Sequence, residues 1–191
     1  MMIQYKILLV AFAIFFIVGC ENKDNVVNTE PDSDSIEQIK ASIQEIDDSL
    51  KVLFDNAMHQ EQFQMNHAVF YEAINRNKQL FLKFPDDPGV EQALDKISAI
   101  YLQLNHEEEA VKWRDTLLTR FPNTKHKVGL LELQMNYYDY NEHNPEKMEY
   151  YLNQLLEIED LSAEKRAQYE FRLENIDKTF EELILMQSKD N

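Results

Sequence analysis

The stretch Leu94 to Pro122, LDKISAIYLQLNHEEEAVKWRDTLLTRFP, decides the fold class. Leu94, Ile97 and Tyr101 recur at the spacing of one helical face. Asn105 precedes Glu107, Glu108 and Glu109, acids that suit the positive end of a helix dipole. Leu117 and Phe121 continue an apolar face, and Pro122 stops the helix because it lacks the next donor. The stretch reads as two helices, near 88–104 and 106–121. Ser98 and Ala110 stand where they cross, and a larger side chain there would force them apart.

Outward from this pair the same marks return. Lys83-Phe84-Pro85 and Arg120-Phe121-Pro122 lie 37 residues apart, and Ile158-Glu159 falls 37 further on. Ala73 and Ala110, Leu80 and Leu117, and Tyr101 and Tyr138 share that offset. Further helices are expected near 36–56, 66–84, 125–141, 145–158, 163–176 and 180–188. Ser35 with Gln38, and Thr179 with Glu182, form capping-box patterns. Asp87-Pro88 and Asn144-Pro145 each place a capping side chain before a proline at a first helical position. Past residue 20 the only glycines are Gly89 and Gly129, too few for a turn-rich β protein.

A two-helix repeat of this length is the signature of a helical solenoid. Leu94 to Pro122 resembles a tetratricopeptide repeat. The unit before it keeps Ala73, Leu80, Phe84 and Pro85; the unit after it keeps Tyr138 and has Glu159 for the proline. The resemblance implies an all-α, right-handed helical-hairpin solenoid of about 2.5 repeats plus capping helices, and a scaffold rather than a catalyst. A single repeat cannot bury its apolar face alone, so about three must stack.

The N-terminus carries a second signal. Lys6 is followed by an uninterrupted apolar run from Ile7 to Val18, short of the roughly 20 residues a membrane-spanning helix needs. That pattern matches a secretory signal peptide. Ile17-Val18-Gly19-Cys20 resembles the lipobox of bacterial lipoproteins, which implies cleavage before Cys20 and covalent lipid on its sulfur. Cys20 is the only cysteine, so no thiol is left for disulfide, redox or metal chemistry. The expected domains are 1–19 signal peptide, 20–35 lipidated tether, 36–65 amphipathic helix and connection, 66–160 repeats, and 161–191 capping helices. A lipobox, a polar tether and repeats ending in Phe-Pro are similar to outer-membrane lipoproteins of the assembly-machine and periplasmic-coordinator types. The tail from Leu173 to Ile184 looks like the closing segment of short tetratricopeptide lipoproteins of the Bacteroidota. These likenesses imply an outer-membrane anchor, on the periplasmic side rather than the cell surface.

The net charge is −16, and removing residues 1–19 takes away Lys6 and no acid, leaving −17. Such a chain repels nucleic-acid phosphates and anionic headgroups, so no nucleic-acid partner is expected and lipid must do the anchoring. No cofactor or metal is expected: the five histidines share no three- or four-residue spacing and read as solvent-facing. Gly-x-Ser-x-Gly, phosphate-cradling loop and His-Glu-x-x-His motifs are absent, so the chain is not expected to be an enzyme.

Two features bear on partners. Tyr137, Tyr138, Tyr140, Tyr150 and Tyr151 crowd one helix pair and, with Trp113, are the candidate contacts for an envelope protein or peptide. The alternative is that some are core and the rest surface. Ile36, Ile39, Ile43, Ile46, Leu50 and Leu53 follow heptad spacing, which suits a self-associating coil or an amphipathic helix packed on the first repeat. The run is under three heptads, so packing is the expectation and oligomerisation is not favoured. The leading reading is a lipid-anchored scaffold. A self-associating spacer through 36–54 is the alternative, and an envelope hydrolase or glycan-binding lipoprotein comes third.

Overall fold

A computed structural model of the chain describes residues 35–57 and 66–189. Cys20, the signal segment, the tether and His59 lie outside them. Reciprocal capping opens the first helix: Gln38 N–H donates to Ser35 Oγ (3.3 Å) and Ser35 N–H to Gln38 Oε1 (2.7 Å). Eight α-helices, and no strand, occur among the described residues: α1 Ile36–Ala57, α2 His67–Lys83, α3 Val90–Gln103, α4 Glu107–Arg120, α5 Lys127–Tyr140, α6 Pro145–Leu156, α7 Ala163–Glu174 and α8 Phe180–Lys189. The chain is therefore all-α there. No described helix is long and apolar enough to cross a membrane.

Caps set the boundaries. Asn144 accepts from Lys147 N–H with Pro145 in the first turn, and Thr179 and Glu182 cap α8 reciprocally. Ser162 caps α7 at the start expected from sequence, though the cap itself is not among those read there. Asp87-Pro88 does not cap a helix with proline first, as expected from sequence. Asp87 Oδ1 accepts from Gly89 N–H (2.8 Å) and Oδ2 holds Lys40, so the chain makes a turn and α3 begins at Val90. Asn105 ends α3 rather than beginning α4. It adopts φ 59°, with Asn105 N–H bonded to Leu102 O and His106 N–H to Tyr101 O, closing two of the helix's orphan carbonyls.

Helices α1 to α7 pack chiefly on their neighbours in sequence, and side chains then link alternate helices. In one layer Lys96 of α3 reaches Asp47 of α1, and Lys165 and Arg172 of α7 reach Glu132 and Asp139 of α5. In the other layer Trp113 of α4 meets Phe81 of α2 edge-on at 6.0 Å, and Tyr151 of α6 donates to Asp115 of α4 at 2.6 Å. Residues 37 apart share their burial: Ala73 and Ala110 are fully buried, and Leu80 with Leu117 and Tyr101 with Tyr138 are likewise core pairs.

The isoleucine stripe is spent inside the chain. Ile39 packs with Leu80, Val90 and Leu94, while Ile46 and Leu50 join Phe70, Ile74 and Ile100. The flanking charges are spent there too, Lys40 on Asp87, Glu45 on Arg76 and Asp47 on Lys96. Ser98, at 3 % exposure, donates its hydroxyl to Asp95 O, so the small polar residue in the α3 face is satisfied within its own helix.

Candidate functional site

Helix α5 is apolar nearly all round: Leu130, Leu131, Leu133, Met135, Tyr137, Tyr138 and Tyr140 leave it no single polar face. One side, Leu131, Met135 and Tyr138, joins a core with Met148, Tyr151, Leu152 and Leu155. Leu130 joins the core of Leu94 and Leu117, but Leu133 and Tyr140 are left largely uncovered. Leu133 stays 44 % and Tyr140 56 % exposed, beside Leu102 of α3 at 39 %. Leu102, Leu133, Asn136, Tyr137 and Tyr140 line a concavity of about 140 Å³. Through Leu133 and Asn136 it joins a larger hollow of about 590 Å³ beside Asp95, Lys125, His126 and Gly129. Through Glu107, Tyr137 and Asn141 it joins a second of about 590 Å³, walled by Glu107, Glu108, Glu109 and Glu142. The three hollows share wall residues in sequence along α5, the middle one mostly apolar and the one at the α4 end acidic, and are called the α5 groove.

The floor beneath the apolar part is polar and buried. Arg114 is 3 % exposed; its Nε donates to Gln134 Oε1 at 2.7 Å. Gln134, fully buried, donates its amide to Val111 O (3.1 Å) and Asp115 Oδ1 (2.6 Å). Tyr151 donates to the same Asp115 oxygen. The guanidinium and the Asp115 carboxylate are thus coupled through one amide, across α4, α5 and α6. Among the described residues Arg114 forms no ion pair, and its two Nη groups find no acceptor. The only sealed nitrogen or oxygen without a partner there is His143 Nδ1, so the Nη groups open into the groove that Arg114 lines. Burial pushes the guanidinium below its ordinary value, and Asp115 and Glu107 pull it back up.

The acids at the open end are unequally satisfied. Glu109 is held below the usual carboxylate range by its bond from Lys112. Glu107 accepts from Asn141, and Glu142 accepts from Tyr137 OH at 2.9 Å. Glu108 has no ion pair among the described residues. Burial, then the Glu142 carboxylate, pushes the Tyr137 hydroxyl up to about 12, so it stays a neutral donor. At the other end, burial would raise the Glu132 carboxyl, but bonds from Lys165 and Tyr169 outweigh it and leave it below its usual range.

The tyrosines divide between faces. Tyr137 and Tyr140 line the groove. Tyr138 and Tyr151 are core: they stack at 5.8 Å and 12°, and burial raises both hydroxyls above the ordinary phenol value. Tyr150 is exposed but lines a separate cavity of about 260 Å³ with Lys147 and Gln154. Trp113 is half-buried against Phe81 under the Lys78 ammonium, away from the groove residues. His67, His106 and His126 are exposed, as read from sequence. His143 is the exception, half-buried at φ 42° with Nδ1 unpartnered. No group of three metal-ligating side chains occurs among the described residues.

Sequence reasoning missed Leu102, Arg114, Leu133 and Asn136. The available signal was the excess of apolar residues on 130–140, more than one packed face consumes. Compared with known proteins, the chain matches no family profile, no curated protein and no solved structure.

Proposed function

We propose that this chain is a lipid-anchored lipoprotein of the bacterial envelope that works as a protein–protein interaction scaffold, held at the outer membrane through Cys20 and docking its partner along the α5 groove. The observation that carries the docking half is the exposed Leu102, Leu133 and Tyr140 in one concavity, over a floor with open guanidinium donors. Contiguous apolar surface of this kind marks interaction sites when polar groups rim it. The finer fold reading belongs with it: a tetratricopeptide-like, right-handed hairpin solenoid of about 2.5 repeats with caps. The alternating-helix links and the matched burial of residues 37 apart support that reading. An anchor concentrates a weak binder at the membrane, so modest groove affinity suffices.

The spacer that self-associates through 36–54 is the weaker reading, because Ile39, Ile46 and Leu50 are already buried against α2 and α3. Crosslinking in intact cells, followed by purification of a C-terminally tagged copy from membranes, separates the two. One envelope protein recovered in stoichiometric amount supports the scaffold. Recovery of the chain alone supports the spacer. Replacing Cys20 by Ser should shift the protein to the soluble fraction with its helical content unchanged; continued membrane retention would sink the anchor.

A further inference from the structure

Glu107, Glu108 and Glu142 put three carboxylates that form no ion pair among the described residues around one cleft, with Arg114 acting on Glu107 and Lys112 on Glu108 only at longer range. The positive end of α4 offsets part of that charge, but a helix terminus amounts to about half an elementary charge. Glu142 also comes from beyond the end of α5, so the α4 dipole does not account for it. Directly alongside, the Arg114 Nη groups open into the apolar hollow without an acceptor. The site therefore has carboxylates without a direct ion pair at one point and donors without an acceptor at the next, with exposed leucine and tyrosine beside them. An extended polypeptide carries all three complements: a basic side chain, a main-chain carbonyl and an apolar side chain.

We infer that the partner docks as an extended segment whose Lys or Arg side chain enters the Glu107–Glu108–Glu142 cleft, whose carbonyl accepts from Arg114, and whose next same-face apolar side chain covers Leu133 and Tyr140. Side chains on one face of an extended chain alternate, so a basic and an apolar side chain that both face the groove stand an even number of residues apart, and basic-x-apolar is the shortest such pattern. Gly129 continues the groove floor: a Cβ there would meet nothing within 4 Å, so packing does not require the glycine, and its absence of side chain leaves room for a passing main chain. This inference rests on the scaffold reading and names the chemistry of its partner.

The test uses the full lipidated chain purified in a mild nonionic detergent. The probe is a fluorescein-labelled peptide of two Lys-Ser-Leu-Ser units; its controls replace each Lys by Glu or each Leu by Ser. Fluorescence anisotropy should show binding of the Lys/Leu peptide, weakened by salt, and about tenfold weaker binding of either control. The triple variant Glu107→Gln, Glu108→Gln, Glu142→Gln should lose about tenfold in affinity. A charge-matched control at exposed sites, Glu37→Gln, Glu149→Gln, Glu170→Gln, should stay within about twofold. Equal losses in the two triples would mean attraction to net charge alone and would overturn the inference, as would equal binding of the Glu peptide. In intact cells, a photocrosslinking amino acid at position 140 reads the natural partner. An attached peptide with Lys or Arg two residues from an apolar side chain supports the inference. An attached partner without that pattern overturns it and leaves the scaffold standing, whereas no attached protein removes both.

Discussion

The Asp139–Arg172 pair should hold the C-terminal part of the fold, and its removal gives a large, checkable loss. Asp139 of α5 takes Arg172 of α7 in a two-pronged bond, both prongs at 2.8 Å, with side chains only 5 % and 9 % exposed. Arg172 also donates to Asn175 O (2.7 Å) and Lys178 O (3.0 Å), the carbonyls of the turn that leads into α8. Two unit charges about 4 Å apart attract by about 4 kcal/mol at the effective dielectric that suits proteins, and the desolvation of each ion opposes that. The intact pair is therefore worth little net, but breaking it strands a buried charge at a cost of about 3–5 kcal/mol. Asp139→Asn, which keeps one acceptor, should sit near the lower figure, and Arg172→Met, which also frees two carbonyls, near the upper. The double variant Asp139→Asn, Arg172→Met should cost well under the sum, because no charge remains unpaired. Urea unfolding of the singles and the double, with hydrogen exchange across 163–178, reads these values. Single costs under about 1 kcal/mol, or additive ones, would refute the argument, since that is how a solvated surface pair behaves.

Ala110→Leu should destabilise by about 1–3 kcal/mol, because Ala110 is fully buried in the core it shares with Ile97 and Tyr101 and the crossing has no room for the larger side chain; thermal unfolding checks it. Gly129→Ala should raise stability by up to about 1 kcal/mol, since the added Cβ meets nothing and alanine is the better helix former; a loss would mean the backbone there needs glycine. Burial, then bonds to Asp115 and Glu132, raises the Tyr151 and Tyr169 hydroxyls above the ordinary phenol value. A folded pKa above the unfolded one gives stability that is complete below about pH 10 and lost as pH rises past it, at about 1.4 kcal/mol per pH unit for each tyrosine. Denaturation midpoints that stay flat through that window would contradict the buried, neutral assignment.

The helices were legible because their signals are local. Ser35 with Gln38 and Thr179 with Glu182 need only four residues to declare a start, and all eight expected helices lie within about two residues of their observed ends. Asp87-Pro88 misled because the same aspartate also holds Lys40, 47 residues away, a partner no local pattern reveals. The tyrosine cluster was half legible for a related reason. Residues 137, 138 and 140 alternate around one helix, so their density was plain, but which of them faces the core depends on α6 and α7. Tyr138 is core, with Tyr151 stacked on it; Tyr140 stays exposed, with the Phe180 ring edge-on against it. Arg114 was invisible as a site residue, since on a surface helix face an arginine between a tryptophan and an aspartate draws no notice.

The joint between α4 and α5 explains why the groove lies where it does. The Cα traces of α3 and α4, or of α5 and α6, approach closely along their length, whereas α4 and α5 make far fewer close approaches. Val111 and Leu117 of α4 share cores with Leu130, Leu131 and Met135 of α5, and between those contacts the joint holds the polar network of Arg114, Gln134 and Asp115. Long polar side chains hold two helices farther apart than alanine or serine would, and they hold them by bonds that each need a set geometry. Beside the network, Leu102 of α3 and Leu133 of α5 line the same hollow and stay part-exposed. A fully apolar joint would have closed the groove and sealed the guanidinium away. Replacing Gln134 by Leu should therefore do two things at once: strand Arg114 and Asp115 without their shared amide, and draw α5 toward α4. Stability and groove binding should fall together in that variant, while Leu133→Asp, whose side chain is exposed, should abolish binding with little change in stability.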